Sequence, residues 1–353
     1  MSLIVDIKKK LKDFSLEISF KTNGDYLGIL GASGSGKSMT LKCIAGVETP
    51  DDGIIVLNGK VLFDSKKKIN LKPQDRKVGY LFQNYALFPH MTVEENIGLA
   101  LAKREKEQKV SEMIEAFHLQ GLEKKYPNQI SGGQQQRTAL ARCIVNKPDI
   151  LMLDEPFSSL DAHLKDQLQE GVLELLKLYD GEVLVVSHCM NEVYRLCEKL
   201  AIIDKGKSVL LGDTKEVFMQ PKLYSAARLT GCKNISKCEV LSSNRVYAVD
   251  WDIILETEKA IDKNTKYIGI HAHDFKAIDV AMSKGEKNIV KFRVKKVVED
   301  VFKYNVFLQN NESRKENNNT DILFKVSKEE WNNRKNKENV CLKIPEEAIL
   351  LLE

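Results

Sequence analysis

The sequence predicts a mixed α/β domain built around a phosphate-binding loop, with a smaller all-β domain behind it. Three observations carry this reading. Gly31-Ala32-Ser33-Gly34-Ser35-Gly36-Lys37-Ser38 fits G-x-x-x-x-G-K-[ST], the phosphate-binding loop. Ile150-Leu151-Met152-Leu153 is an apolar run that ends in Asp154-Glu155, as a strand buried on both faces would. Beyond about residue 232 the pattern turns into short strands separated by turn residues.

The context of the loop supports it. Tyr26-Leu27-Gly28-Ile29-Leu30 reads as a buried strand, and Met39 to Ala45 as a helix stopped by Gly46. Glycines let several backbone N–H groups point at one spot, and the helix start adds its positive end, which favours phosphate. In such a loop Lys37 reaches the outer phosphates and the Ser38 hydroxyl ligates Mg²⁺. A glycine-serine surface turn would match the same spacing, but it needs neither the strand before it nor the helix after it.

Composition bounds the rest. The chain has 353 residues, room for two or three domains. Charged residues make up 29% and hydrophobic ones 43%, as in a globular protein. The net charge of +4 is too small to argue for a nucleic-acid partner. No apolar run approaches the ~18 residues of a membrane span, and Met1-Ser2-Leu3-Ile4-Val5-Asp6 lacks the apolar core of a signal peptide. The seven cysteines are scattered, without C-x-x-C pairs. They suggest neither zinc nor disulfides, so a reducing cytosol is expected.

In chain order, Leu3 to Ile7 and Ser15 to Phe20 read as strands, the second alternating Leu16, Ile18 and Phe20. Ile54 to Leu57 and Val61 to Phe63 flank Asn58-Gly59, a hairpin turn. These are expected to form a small antiparallel layer beside the phosphate-loop core. Val78 to Phe82 is a further buried strand with Gln83 at its end. From Asn84 to about Lys147 the pattern is helical. Thr92 with Glu95 is a capping box, and Val110, Met113, Ile114 and Phe117 form a helical stripe. Ser131 caps a helix that ends before Pro148. Asp154 and Glu155 emerge at a strand's carboxyl end, where α/β sheets place ligands. Leu164, Leu168, Val172, Leu175 and Leu176 mark a helix, and Glu182 to Ser187 another buried strand with His188 at its tip. Leu200 to Ile203 and Val209 to Leu211 close the domain as a hairpin around Lys205-Gly206.

In order and spacing these features resemble the ATPase subunit of an ATP-binding cassette importer, from about residue 3 to 231. The matching residues are the loop Gly31 to Ser38, Gln83 (Q-loop), Ser131-Gly132-Gly133-Gln134-Gln135 (signature), Ile150 to Glu155 (Walker B), Ser158-Ser159-Leu160-Asp161 (D-loop) and His188 (switch histidine). The signature is the specific part, since other phosphate-loop proteins lack it. The resemblance implies ATP and Mg²⁺. The phosphates would lie on Gly31, Ala32, Ser33, Gly34, Ser35, Gly36, Lys37, Ser38 and Met39. Ser38, Gln83 and Asp154 would hold Mg²⁺. Glu155 would orient and deprotonate the attacking water, Gln83 would contact metal and water, and His188 would donate to the γ-phosphate. Ser131, Gly132, Gly133, Gln134 and Asp161 would serve the nucleotide of a second copy, so that two chains sandwich two ATP molecules head to tail. Phosphoryl transfer to water needs positioning and charge neutralisation more than covalent chemistry, which suits this set.

The resemblance also implies partners: integral-membrane permease subunits and, indirectly, an extracytoplasmic solute-binding protein, with this chain peripheral on the cytoplasmic face. The apolar stretch Tyr85, Leu87, Phe88 and Met91, directly after Gln83, is where the permease's cytoplasmic helix would dock. Thr230-Gly231-Cys232-Lys233-Asn234-Ile235 and the short N-terminus look like the molybdate/sulfate branch, while ferric iron, polyamine and sugar cargoes stay open. A soluble cassette ATPase acting on ribosomes or DNA would carry two cassettes or a long coiled coil; here there is one cassette and no sustained heptad run. One departure from the family concerns adenine, usually stacked on an aromatic residue ahead of the loop. Residues 1–13 have none, and Phe14 heads an alternating strand and reads as core, so the platform is unassigned.

The expected domains are 1–231, with a helical subdomain at about 84–147, and 232–353. Strands at Arg245–Val249, Lys266–Ile270, Ile289–Val294, Asn305–Leu308, Ile322–Val326 and Val340–Ile344 suggest a small β-barrel. Tyr267 to Asp274 resembles the core strand of the oligobinding-type domain of such importers. His271 and His273 alternate on it, and without further ligands nearby a structural role is favoured over metal. Ser242 to Arg245 and Lys295-Lys296 read as ordinary surface sequence, which ranks dimerisation above ion sensing for this domain.

Overall fold

The computed structural model describes residues 2–158, 171–176, 179–278, 287–311, 321–334 and 337–353. It divides into two compact units, Met1–Lys215 and Glu216–Glu353.

The first unit contains β1 (Leu3–Lys10), β2 (Ser15–Lys21), β3 (Tyr26–Gly31), β4 (Asp52–Leu57), β5 (Lys60–Asp64), β6 (Ile69–Asn70), β7 (Val78–Leu81), β8 (Ile150–Asp154), β9 (Glu182–Ser187), β10 (Lys199–Asp204) and β11 (Lys207–Asp213). They form one sheet in the order β6-β5-β4-β1-β2-β11-β10-β3-β9-β8-β7. The run β10-β3-β9-β8-β7 is parallel. Strands β1, β2, β4, β5 and β6 pair antiparallel with one another. The expected antiparallel layer is present, and it joins the core sheet at the β2–β11 pairing of Glu17 with Lys207. The period-two pattern explains why. Leu3, Val5 and Ile7 of β1 and Leu16, Ile18 and Phe20 of β2 share one face and one cluster with Met152 and Val186 of the parallel strands. Strands β8 and β9 are buried along their whole length, as two-sided apolar runs require.

Helix α1 (Lys37–Ala45) starts from Gly36, whose φ is 105°. A Cβ there would lie 2.4 Å from Leu16 Cδ1, so only glycine fits. The helix ends on left-handed Gly46. Buried Arg76 donates Nη1 to the carbonyls of Cys43 and Ile44, satisfying acceptors of the last turn. Helices α2 (Val93–Ile97), α3 (Lys106–Ala116) and α4 (Gly132–Ile144) follow β7. The capping boxes of Thr92 with Glu95 and of Ser131 with Gln134 are both closed. Val110, Ile114 and Phe117 are buried on the stripe side of α3. Val172, Leu175 and Leu176 are buried, while Leu164 and Leu168 lie outside the described residues. Helix α5 (Met190–Leu196) follows β9.

The second unit holds β12 (Asn234–Ser242), β13 (Arg245–Ala248), β14 (Ile253–Glu256), β15 (Tyr267–Ile270), β16 (Lys276–Ile278), β17 (Ile289–Glu299), β18 (Lys303–Asn310), β19 (Ile322–Ser327), β20 (Asn339–Lys343) and β21 (Leu350–Leu352). They make two five-stranded sheets, β14-β13-β12-β15-β21 and β16-β20-β17-β18-β19. Both sheets contribute to one core, including Leu255, Ile268, Phe292, Val306, Phe324 and Leu342. Buried Asn234 joins the sheets: its Nδ2 donates to the carbonyls of Ile270 and Leu323, and its Oδ1 accepts from the Leu323 amide. One expectation is corrected. Strand β15 ends at Ile270, so His271 and His273 sit in the turn behind it with stacked rings, not alternating along a strand. The His271 carbonyl accepts from the Asp274 amide, closing the turn. The contact division falls at Lys215, ahead of the expected residue 231. Residues 222–232 fasten to the C-terminal strand: the Tyr224 amide donates to Glu353, the Glu353 amide to Lys222, and Ala227 and Cys232 pack with Leu350 and Leu352.

Candidate active site

Four adjacent parallel strands, β3, β9, β8 and β7, end at the same edge and deliver the predicted site residues. The loop Gly31 to Ser38 follows β3, His188 follows β9, Asp154 ends β8 with Glu155 next, and Gln83 lies just beyond β7. The registers Leu30 with Ser187, Val186 with Asp154 and Leu153 with Leu81 align those ends. Convergence at the carboxyl edge of a parallel sheet is where ligands of this fold class bind.

Within the loop, Lys37 Nζ donates to the carbonyls of Gly31 and Ala32, each at 2.9 Å. The side chain is buried, and desolvation pulls its pKa below the ordinary lysine value, partly opposed by Glu155 and Asp154. Ser35 Oγ is buried with no hydrogen-bond partner. A buried hydroxyl left unpaired costs free energy that an incoming acceptor would recover. Gly31, Ala32, Ser33, Gly34 and Gly36 supply backbone around it, and half-buried Met39 follows in the first turn of α1.

Ser38 Oγ donates to Asp154 Oδ1 at 2.8 Å, and Tyr80 OH donates to Asp154 Oδ2 at 2.9 Å. Burial, then the neighbouring Asp154 charge, pushes the Tyr80 phenol far above its ordinary pKa, so it stays a donor. Glu155 sits at φ 49°, a left-handed conformation that turns its side chain away from the strand path. Its Oε2 accepts from Gln83 Nε2 at 3.0 Å, and its Oε1 lies 3.3 Å from His188 Nδ1. Behind His188, Ser187 Oγ donates to buried Glu192 and accepts from the Cys189 amide, which fixes the turn. The structure thus brings Gln83, Glu155 and His188 together, and Ser38 with Asp154. Ser131, Gly132, Gly133 and Gln134 form the start of α4: the Gln134 amide donates to Ser131 Oγ, and the Ser131 amide to Gln134 Oε1. Asp161 lies outside the described residues.

The sequence reading assigns Tyr80 no role in the site and sets Phe14 aside as core. Tyr80 pairs with Met152 across β7 and β8, so Asp154, two residues further on, shares its face. That period-two relation was the available signal. Phe14 lies just before β2, half-buried and packed against the core cluster. A Cβ on Gly36 would come 3.6 Å from its Cε2, which puts the ring beside the phosphate loop.

A phosphate loop, a hydroxyl–carboxylate pair and a glutamate bracketed by Gln and His define a phosphate-loop nucleoside triphosphatase. Residues 11–158 match a family profile described as ABC transporter. The molybdate/tungstate import ATP-binding protein WtpC of Pyrococcus horikoshii is 36% identical over 301 residues, covering 83% of this chain and 84% of that protein. A spermidine/putrescine import ATP-binding protein PotA of Clostridioides difficile is 34% identical, covering 85% and 84%. A probable sulfate/thiosulfate import ATP-binding protein CysA of Chlorella vulgaris is 38% identical, covering 65% and 99%. Among solved structures, the dimeric post-hydrolysis state of the ATP-binding cassette MJ0796, bound to ADP and Pi, aligns with TM-score 0.50 and 26% identity over 61% of this chain and 99% of that one. The chain belongs to the ABC transporter family, as an importer ATPase subunit that couples ATP hydrolysis to transport.

Proposed function

We propose that the chain powers import of an oxyanion, molybdate or sulfate, by closing with a second copy around two ATP molecules against membrane permease subunits. The observation that carries the chemistry is the convergence of the loop, the Ser38–Asp154 pair and the Gln83–Glu155–His188 group at one sheet edge. Lys37 spends two of its three N–H donors on Gly31 and Ala32, leaving one for the outer phosphates. The Glu155 carboxylate takes the proton of the attacking water, with Gln83 and His188 on either side fixing its two oxygens. Hydroxyl and carboxylate oxygens are the donors Mg²⁺ prefers, so Ser38 and Asp154, with Gln83, fit that ion. When bound, it would neutralise charge on the β- and γ-phosphates. Phe14, beside Gly36, is the candidate adenine platform. Ser131 to Gln134 and Asp161 serve the nucleotide of the partner copy, and the second unit holds the pair together.

The stretch after Gln83 is the proposed permease dock. Phe88 is 40% exposed, Leu87 half-buried and Tyr85 buried, so part of this apolar surface remains available. No helix among the described residues is long and apolar enough to cross a membrane, and attachment through a permease accounts for a peripheral place at the cytoplasmic face. Through that permease the chain would serve a solute-binding protein outside the membrane. Polyamine import is the second reading, favoured by the PotA relative, which matches as much of the chain as WtpC does. Uptake of labelled molybdate, sulfate and spermidine, in cells with and without this chain, separates the two. Phe88→Asp should abolish uptake while the purified chain still binds ATP. Normal uptake by that variant would sink the docking assignment.

A further inference from the structure

Helix α4 supports both members of the Gln83–Glu155 contact from one element. Near its C-terminal end, Arg142 donates from Nη1 to the Ala86 carbonyl at 2.8 Å and from Nη2 to the Tyr85 carbonyl at 2.7 Å. The same guanidinium lies 5.8 Å from the centre of the Phe88 ring. Tyr85 and Ala86 are both left-handed, with φ 59° and 45°. Non-glycine residues hold such a conformation only when their surroundings enforce it. These residues lie directly beyond Gln83 and Asn84. Earlier on α4, fully buried Gln136 donates Nε2 to the Pro156 carbonyl at 2.9 Å. Pro156 follows Glu155, which is itself left-handed. The Gln136 Oε1 is buried without a hydrogen-bond partner, so the Pro156 bond is kept although it leaves an acceptor unpaired.

We propose that Arg142 and Gln136 are positioning residues that set the 3.0 Å Gln83–Glu155 contact, Arg142 by pinning the strained turn at Tyr85–Ala86 and Gln136 by pinning the chain after Glu155. Because α4 begins at the signature Ser131, any displacement of the helix moves both supports at once. The inference rests on the catalytic reading of Gln83 and Glu155.

The test is steady-state ATP hydrolysis by the full chain carrying Arg142→Ala or Arg142→Lys, each also combined with Gln83→Ala and with Ala86→Gly. Lysine is a point charge without the planar fork, so it does not hold two carbonyls in the same way. Arg142→Ala should lower kcat at least about tenfold and leave KM for ATP within about twofold. In the Gln83→Ala background it should cause no further loss. Ala86→Gly removes the left-handed penalty at that position, so it should restore part of the kcat lost in Arg142→Lys. Losses at Arg142 and Gln83 that multiply, or no rescue by Ala86→Gly, would overturn the inference. A normal kcat in Gln83→Ala alone would overturn the catalytic reading of Gln83, and the inference with it. Should Arg142→Ala fail to fold, Arg142→Lys and its rescue decide the matter.

Discussion

Tyr80→Phe isolates the group that holds Asp154 from behind. The substitution keeps the ring, which packs at a tilt against Phe82 with centroids 4.2 Å apart, and removes only the hydroxyl that donates to Asp154 Oδ2. A hydrogen bond to a charged acceptor contributes about 1.5–3 kcal/mol. Ser38 holds the other oxygen, but its hydroxyl is also the one proposed to meet Mg²⁺, and Tyr80 would then hold Asp154 alone. If all of that energy serves to orient the carboxylate, Mg²⁺-dependent affinity for ATP falls by roughly 10- to 150-fold, at tenfold per 1.4 kcal/mol. The assay is calorimetric titration with ATP in EDTA and across a Mg²⁺ series. The variant should bind ATP as the wild type does in EDTA and need more Mg²⁺ to reach half-maximal tightening. An unchanged Mg²⁺ midpoint would refute the reasoning, and a matching loss in EDTA would show that the hydroxyl acts on the fold instead.

Phe14→Ala should weaken ATP binding by about 1–3 kcal/mol, the usual contribution of base–aromatic stacking, and leave pyrophosphate binding unchanged; equal losses for both ligands would remove Phe14 from the adenine site. Glu182 starts β9 fully buried, and burial pushes its carboxyl up from 4.5 to about 7. The folded state therefore holds that proton more tightly than the unfolded one. The stability it contributes is complete below about 4.5 and is lost as pH rises through about 7. Glu182→Gln should raise the unfolding free energy at pH 8 by at most about 3 kcal/mol, at 1.36 kcal/mol per pKa unit, and change it much less at pH 5. The same gain at both pH values would contradict that account.

What could be read in the sequence was what local chemistry dictates. The loop, the buried run of β8 with its terminal carboxylates, and the caps at Thr92 and Ser131 are each specified within a few residues of chain. What escaped depends on strand order. Tyr80 looks like one more strand aromatic until β7 is laid beside β8, which comes some seventy residues later in the chain. Phe14 fits the alternation of β2, and only the close approach of Gly36 to Leu16 draws it to the loop. Arg142 reads as a helix-end cation, because the turn it supports is made by two residues, Tyr85 and Ala86, whose types give no sign of a left-handed backbone. In the second unit β15 ends at Ile270, whose carbonyl accepts from the Asn234 side chain, a long-range contact that the apolar pattern does not display, and His271 and His273 lie beyond it.

Glu155→Gln addresses the central claim, that the carboxylate between Gln83 and His188 is the base for water attack. The amide keeps the shape and leaves Ser38 and Asp154 untouched, but it does not accept the proton. Turnover of ATP by the purified variant should fall by at least ~10², while ATP binding persists and a nucleotide-bound dimer accumulates on a sizing column. Near-normal turnover, with no trapped dimer, would contradict the account.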